Sequence, residues 1–223
     1  LPCSVRSYVF NDFNTSQYAQ VVAGTNERFD EIWWFYCSAG VTRNDRYVVY
    51  NYLQEIWYYG TLSRSAWTDS DLRDNPMAAT YSNNLVNHEV GYDSQEGATA
   101  SAITATLTSS EFDLDDGDRF MFVNRVLPDV TFEGSTVANP AAVMTLSPME
   151  NSGSGYNNPL SVGGNSASTV TRTATAPIEQ FTGQVFVRLR GRQMAFKMES
   201  TELGVAWKLG IPRLEMRPDG RRG

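Results

Sequence analysis

Three runs in the first third of the chain set the strongest limit on its fold: EIWWFYCS (Glu31–Ser38), DRYVVYNY (Asp45–Tyr52) and EIWYYGTL (Glu55–Leu62). Each is strand-length and crowded with Trp, Tyr, Phe, Val and Ile, side chains that lose rotamer freedom in a helix and fit a pleated surface. The connections between them are short and polar. With YAQVVAG (Tyr18–Gly24) ahead of them, they predict a four-stranded antiparallel meander, with Asn51–Gln54 as the last hairpin connection. Successive residues of a strand face opposite sides, so the Trp33–Trp34 pair puts an indole on each face. A strand buried on both faces belongs in a stack of sheets, as in the blades of a propeller, and this meander therefore calls for neighbours.

Beyond the acidic connection Asp69–Pro76, Met77–Tyr81 and Leu85–Tyr92 read as strands joined by a tight turn at Asn83-Asn84, the start of a second, incomplete blade. Residues 93–102 (DSQEGATASA) are small and polar and read as a linker. The expected organisation is a propeller-blade-like meander over 1–92, that linker, and a β-sandwich-like domain over 103–223. In the latter, Ile103–Leu107, Asp118–Val126, Asp129–Glu133, Ala142–Leu146, Gly204–Ile211 and Arg213–Arg217 are strand-like. Met149–Thr175 reads as a long polar loop with one strand near Thr169–Thr173. The clearest period-two pattern runs from Gln184 to Met198. It sets Val185, Val187 and Leu189 on one face and Arg188, Arg190 and Arg192 on the other, with Met194, Phe196 and Met198 continuing the apolar face past Gly191. This predicts an edge-to-core strand pair or one strand bent at Gly191. No amphipathic helix stands out, and the fold class is all-β.

The net charge of −7 is unevenly spread: from Arg188 onward there are nine basic and four acidic residues, so the first 187 residues carry −12. That balance argues against sequence-independent wrapping of nucleic acid. Lys197 and Lys208 are the only lysines among the 18 basic residues, and arginine favours fixed, bidentate contacts. Three guanidinium groups on one strand face repel one another unless something acidic covers them, which makes Arg188, Arg190 and Arg192 the candidate subunit interface. The acidic side of the same fold or DNA phosphate are the other covers. No apolar run reaches the roughly 18 residues of a membrane-spanning helix. Leu1-Pro2-Cys3 reads like mid-protein sequence, so a fragment of a longer polypeptide is expected. Cys3 and Cys37 are expected to be free thiols.

The inventory of reactive groups is thin. His88 is the only histidine, it reads as a hydrogen-bonded structural residue, and without another imidazole a Ser or Cys nucleophile lacks its usual base. Asp113, Asp115, Asp116 and Asp118 around Gly117 invite a calcium reading, but the spacing lacks the closing bidentate Glu of a 12-residue loop, and a solvated turn is the expected form. A pair of carboxylates with Trp33, Trp34, Trp57 or Trp67 as sugar platforms would make a glycan-binding or glycan-degrading module. Core packing is the expected role of most of these indoles, with Trp67, in SRSAWTD, the one to watch. No metal, cofactor or catalytic residue is expected.

Four strings carry a resemblance: DRYVVYNYLQEIWYYGTLSRSAW (Asp45–Trp67), NNLVNHEVGYD (Asn83–Asp93), DGDRFMFVNRVLPDVTFEG (Asp116–Gly134) and the closing run from Phe186 to Arg222. In these the chain resembles the C-terminal region of phage tail nozzle proteins, also described as tail tubular or DNA-stabilising proteins of short-tailed phages. The resemblance covers most of the chain apart from the 135–180 stretch. It implies a β-propeller combined with sandwich-like elements, and a ring, usually of six subunits, below the portal and adaptor through which the genome leaves. It also implies a protein made in the host cytoplasm and located in the virion tail. Other tail or adaptor proteins are the implied partners, with transient DNA contact, no membrane, no cofactor and no catalytic residue. The chain departs from that pattern in length, since only one full blade and part of another are visible.

Overall fold

The computed structural model of the chain describes residues 3–70, 72–149 and 173–220. The protein is all-β: 47% strand and 9% helix, in several antiparallel sheets, none closed into a barrel among the described residues. It divides into two compact units, Leu1–Gly91 and Tyr92–Gly223.

The first unit opens with α1 (Arg6–Asp12), a seven-residue helix that buries no residue. It is two turns long with no side-chain cap, too short to leave a periodic signature in the sequence. Tyr8 on it stacks on Tyr59 with ring centroids 3.8 Å apart, and Asp12 pairs with Arg46 at 3.0 Å. A 3₁₀ segment, Thr15–Gln20, follows, capped by the Asn14 side chain accepting from Ser16 N. This local cap pulls Tyr18 out of the strand that the sequence predicts, and β1 is Val22–Asn26. The meander continues with β2 (Glu31–Tyr36), β3 (Arg46–Asn51) and β4 (Ile56–Thr61), in the order β1-β2-β3-β4. The Asn51 side chain closes the last hairpin by accepting from Leu53 N and Gln54 N.

A second sheet of this unit holds β5 (Ala66–Thr68), β6 (Met77–Ala79) and β7 (Leu85–Asn87), in that order. The turn before β7 uses Asn83 at φ +63°, a left-handed conformation that Asn tolerates. Trp67 therefore lies on a strand. Its ring stacks on Trp33 at 5.3 Å, and its Nε1 donates to Thr25 O at 2.7 Å. Trp33, Phe35 and Val49 form the centre of this core, with Tyr47, Tyr58, Leu62 and Trp67 packed round it. The opposite face of the meander carries the Trp34–Trp57 and Tyr50–Trp57 ring contacts. Buried Asn44 ties connecting segments together, donating to Gln20 O and Arg64 O while accepting from Cys37 Sγ. Both Cys3 and Cys37 are free thiols.

Among the described residues the second unit holds twelve strands: β8 (Asp93–Ser94), β9 (Ser101–Ala102), β10 (Ala105–Thr108), β11 (Phe112–Asp113), β12 (Met121–Leu127), β13 (Val130–Thr131), β14 (Ala141–Met149), β15 (Ala174–Glu179), β16 (Val185–Gly191), β17 (Gln193–Ser200), β18 (Lys208–Leu209) and β19 (Arg213–Pro218). The stretch read as a linker contains the β8–β9 ladder and falls inside this unit. Residues 150–172 of the expected polar loop, and with them most of the strand near Thr169–Thr173, lie outside the described residues.

Two sheets make the frame, β10-β17-β14-β15 with β11 added to β17, and β16-β12-β19. One core lies between their inner faces: Met121, Val123, Val126, Val187 and Leu189 from the smaller sheet meet Met144, Leu146, Ile178, Met194, Phe196 and Met198 from the larger. The apolar face read from Gln184 to Met198 thus belongs to two strands in different sheets. The chain turns a corner at Gly191, as strands do when they pass between stacked sheets. Gly191 is buried there, and Arg192 N donates to Met149 O at 2.8 Å. No helix among the described residues is long and apolar enough to cross a membrane.

Candidate functional site

The outer face of β16-β12-β19 gathers most of the tail's arginines. Register places Phe122 between Arg190 on β16 and Arg217 on β19; in the next row, past a bulge at Asn124, Arg125 lies between Phe186 and Glu215. Leu127 opposite Arg213 ends the face. The alternation that buries Val187 and Leu189 necessarily turns Arg188 and Arg190 outward.

The three arginines singled out from sequence part company here. Arg190 pairs with Asp219, and its guanidinium lies over the Phe120 ring at 3.8 Å. Arg192 stands past the corner, 4.9 Å over the same ring, and donates to Gly117 O and Asp118 O. Arg190 also donates to Asp219 O at 3.2 Å, so one aromatic face, one carboxylate and three carbonyls hold two like charges side by side. Arg188 is exposed and makes no hydrogen bond or ion pair among the described residues. Phe186, two residues before it, is 73% exposed. Sequence reasoning missed Phe120 and Asp219 as partners of the ladder. Their proximity comes from the C-terminal segment folding back, with Phe120 N donating to Gly220 O and Asp219 N to Phe120 O. Asn124 and Arg125 hold the Glu215 carboxylate below its usual range, the hydrogen bond from Asn124 leading.

A second polar group sits in the first unit. Glu31 accepts from Tyr58 OH, from Trp33 Nε1 at 2.9 Å and from Asn26 Nδ2 at 3.3 Å; the same amide donates to Glu89 at 3.2 Å. Asn26 is fully buried. Glu89 is exposed as a residue, but its carboxyl accepts from that buried amide. Burial there, then the Glu31 charge, push it above the ordinary range. Burial and the bond to Glu31 push the Tyr58 hydroxyl up. His88 accepts from Arg64 Nε at 2.9 Å and lies 4.5 Å from the Trp67 ring. Burial, then the Arg64 charge, lower its pKa to about 4. The imidazole is neutral and acts as an acceptor for a buried arginine, which leaves it no free lone pair for general base work.

A pH dependence follows. Since the folded value for His88 lies below the ordinary 6.5, the unfolded chain takes up a proton first as pH falls, and His88 withdraws stability between pH 6.5 and 4. Glu89, shifted upward, works in the opposite sense. Urea unfolding of wild type and His88→Asn across this range separates the two: the loss on acidification is expected to be smaller in the variant, and equal slopes would contradict the assignment.

The acidic turn is a 3₁₀ turn at Asp115–Gly117 with Gly117 at φ +74°. Asp113 accepts from Gln193 and Asp115 pairs with Arg119 at 3.3 Å. No group of three or more His, Cys, Asp or Glu able to hold a metal occurs among the described residues. The Trp33 and Trp67 indoles stack on each other in the first core, so one face of each is taken up by packing. No protein-family model matches this chain, and no curated protein matches it.

Proposed function

We propose that this chain is a structural subunit of a bacteriophage tail, part of a nozzle or hub that conducts the genome during ejection, and not an enzyme. The observation that carries the reading is the outer face of β16-β12-β19. Arg188 stands unpartnered beside the exposed Phe186, in a chain whose first 187 residues carry −12. Arginine and phenylalanine together are what protein interfaces enrich. An acidic neighbour, another copy or another tail or adaptor protein, is the complementary cover. The acidic remainder of the surface repels duplex DNA and keeps a conduit from holding it. The four-stranded meander and the long-string resemblance to nozzle proteins support the same reading, that of a ring-forming protein of the virion tail.

Two measurements test it. Arg188→Glu, at an exposed position, is expected to leave the melting curve unchanged and to weaken association of the chain by about tenfold in sedimentation equilibrium, the effect of losing one interface hot spot. Duplex DNA is expected not to bind at physiological salt. Tight binding that falls steeply with salt, or polysaccharide cleavage lost on changing Glu31 or Glu89, would replace this reading with a nucleic-acid or glycan role.

A further inference from the structure

One end of the second unit brings three connections round a cleft of about 260 Å³. Leu127, Asp129 and Val130 come from the β12–β13 turn, Thr182 and Gly183 from the β15–β16 connection, and Ile211 and Arg213 from the entry to β19. The walls are fixed by the backbone: Ile211 N donates to Asp129 Oδ2 at 2.7 Å and Gly210 N to Asp129 O at 2.8 Å. That volume is ample space for one phenyl ring.

Beside the cleft stands a knob. Thr182 N donates to Glu179 O at 3.0 Å and Glu179 N to Thr182 Oγ1 at 2.9 Å, closing a tight turn with Phe181 at its tip. Phe181 is 92% exposed, and Ile211 on the rim 73%. The turn spends its hydrogen bonds on holding the ring away from the core that Ile178, three residues earlier, enters. The charged groups repeat the pairing: Glu179 at the base of the knob and Arg213 on the wall of the cleft are both exposed, and neither has a side-chain partner among the described residues.

The geometry points to a reciprocal contact between two copies of this chain, in which Phe181 of each fills the cleft of the other and Glu179 of each meets Arg213 of the other. Knob and cleft lie side by side, so a two-fold rotation sets each on its mate. Charge suits this occupant: each tip carries Glu179 and Arg213 without a side-chain partner among the described residues, so two copies set acid against base twice, while Glu179 and Asp129 repel a polyanion. The contact goes beyond the assembly reading, because a ring needs a head-to-tail interface and this one joins copies in pairs.

Sedimentation equilibrium of the 223-residue chain tests it, with circular dichroism melts confirming that these exposed substitutions leave the fold intact. Wild type is expected to form a concentration-dependent dimer. Phe181→Ala is expected to raise the dissociation constant at least about tenfold. Arg213→Glu and Glu179→Arg each set like charges against one another twice per dimer and are expected to weaken it similarly. The Arg213→Glu/Glu179→Arg double variant is expected to dimerise more tightly than either single one. A chain that stays monomeric, singles that match wild type, or a double variant no better than the singles would overturn the contact. Association lost in Arg188→Glu yet intact in Phe181→Ala would also overturn it and leave the assembly reading standing.

Discussion

Gly24→Val is expected to dismantle the aromatic core of the first unit, at about 3–5 kcal/mol, the usual loss when a buried Trp stops packing. Gly24 on β1 lies opposite Trp33 in register, and the pyrrole ring of Trp67 lies against it, Cδ1 nearest. A Cβ there would overlap Trp67 Cδ1 and stand 2.9 Å from its Cγ, whereas carbon atoms in contact sit roughly 3.5–4.0 Å apart. The indole has no easy retreat, since it stacks on Trp33 at 5.3 Å, lies 5.5 Å from Phe35 and donates to Thr25 O. For a unit of this size the melting temperature is expected to fall by roughly 12 °C or more. Near-ultraviolet circular dichroism should lose the Trp signal in the same transition. The control is Trp67→Ala/Gly24→Val, in which the clash is absent, so the double variant should be far less destabilised than the sum of the singles. A Gly24→Val protein within 1 kcal/mol of wild type, a threshold set by the size of ordinary surface effects, would mean the indole does not rest on β1.

Gly191→Val is the second large effect, expected near the top of the 1–3 kcal/mol range for overpacking. The chain passes from β16 to β17 here, and an added Cβ would meet Pro148 Cβ at 2.9 Å, Gln193 O at 3.0 Å and Met149 O at 3.1 Å. Two of these are backbone atoms of the larger sheet and cannot rotate away. The bond from Arg192 N to Met149 O and the seat of Arg192 over Phe120 are expected to loosen together. Urea unfolding gives the stability. Amide exchange at Arg192 and Phe120 no faster than in wild type, or an unchanged midpoint, would sink the corner as a rigid element.

How far the sequence could be read depended on whether a signal was local. The β2, β3 and β4 runs were legible because Trp, Tyr, Val and Ile in succession leave little choice but a pleated, buried strand. The outward alternation of Arg188 and Arg190 was legible for the same reason, since period two is a property of the strand itself. Trp67 was not legible: three residues of β5 between polar connections carry no periodicity, and only the indole's seat on Gly24 and Trp33 shows why the segment is extended. Tyr18 misled because the Asn14 cap acts over two residues and outweighs strand preference.

The candidate site divides along the same line. By itself the sequence determined an all-β chain, a basic end on an acidic body, and arginines facing away from an apolar stripe, because side-chain chemistry and strand period need no distant partner. Tertiary structure alone decided that the stripe splits between two sheets at Gly191, that Phe120 and Asp219 take up Arg190 while Arg188 stays open, and that Phe181 stands beside a cleft. Those outcomes depend on which remote segments lie next to one another, and the packing of two sheets around one core sets that, not any pattern along the chain.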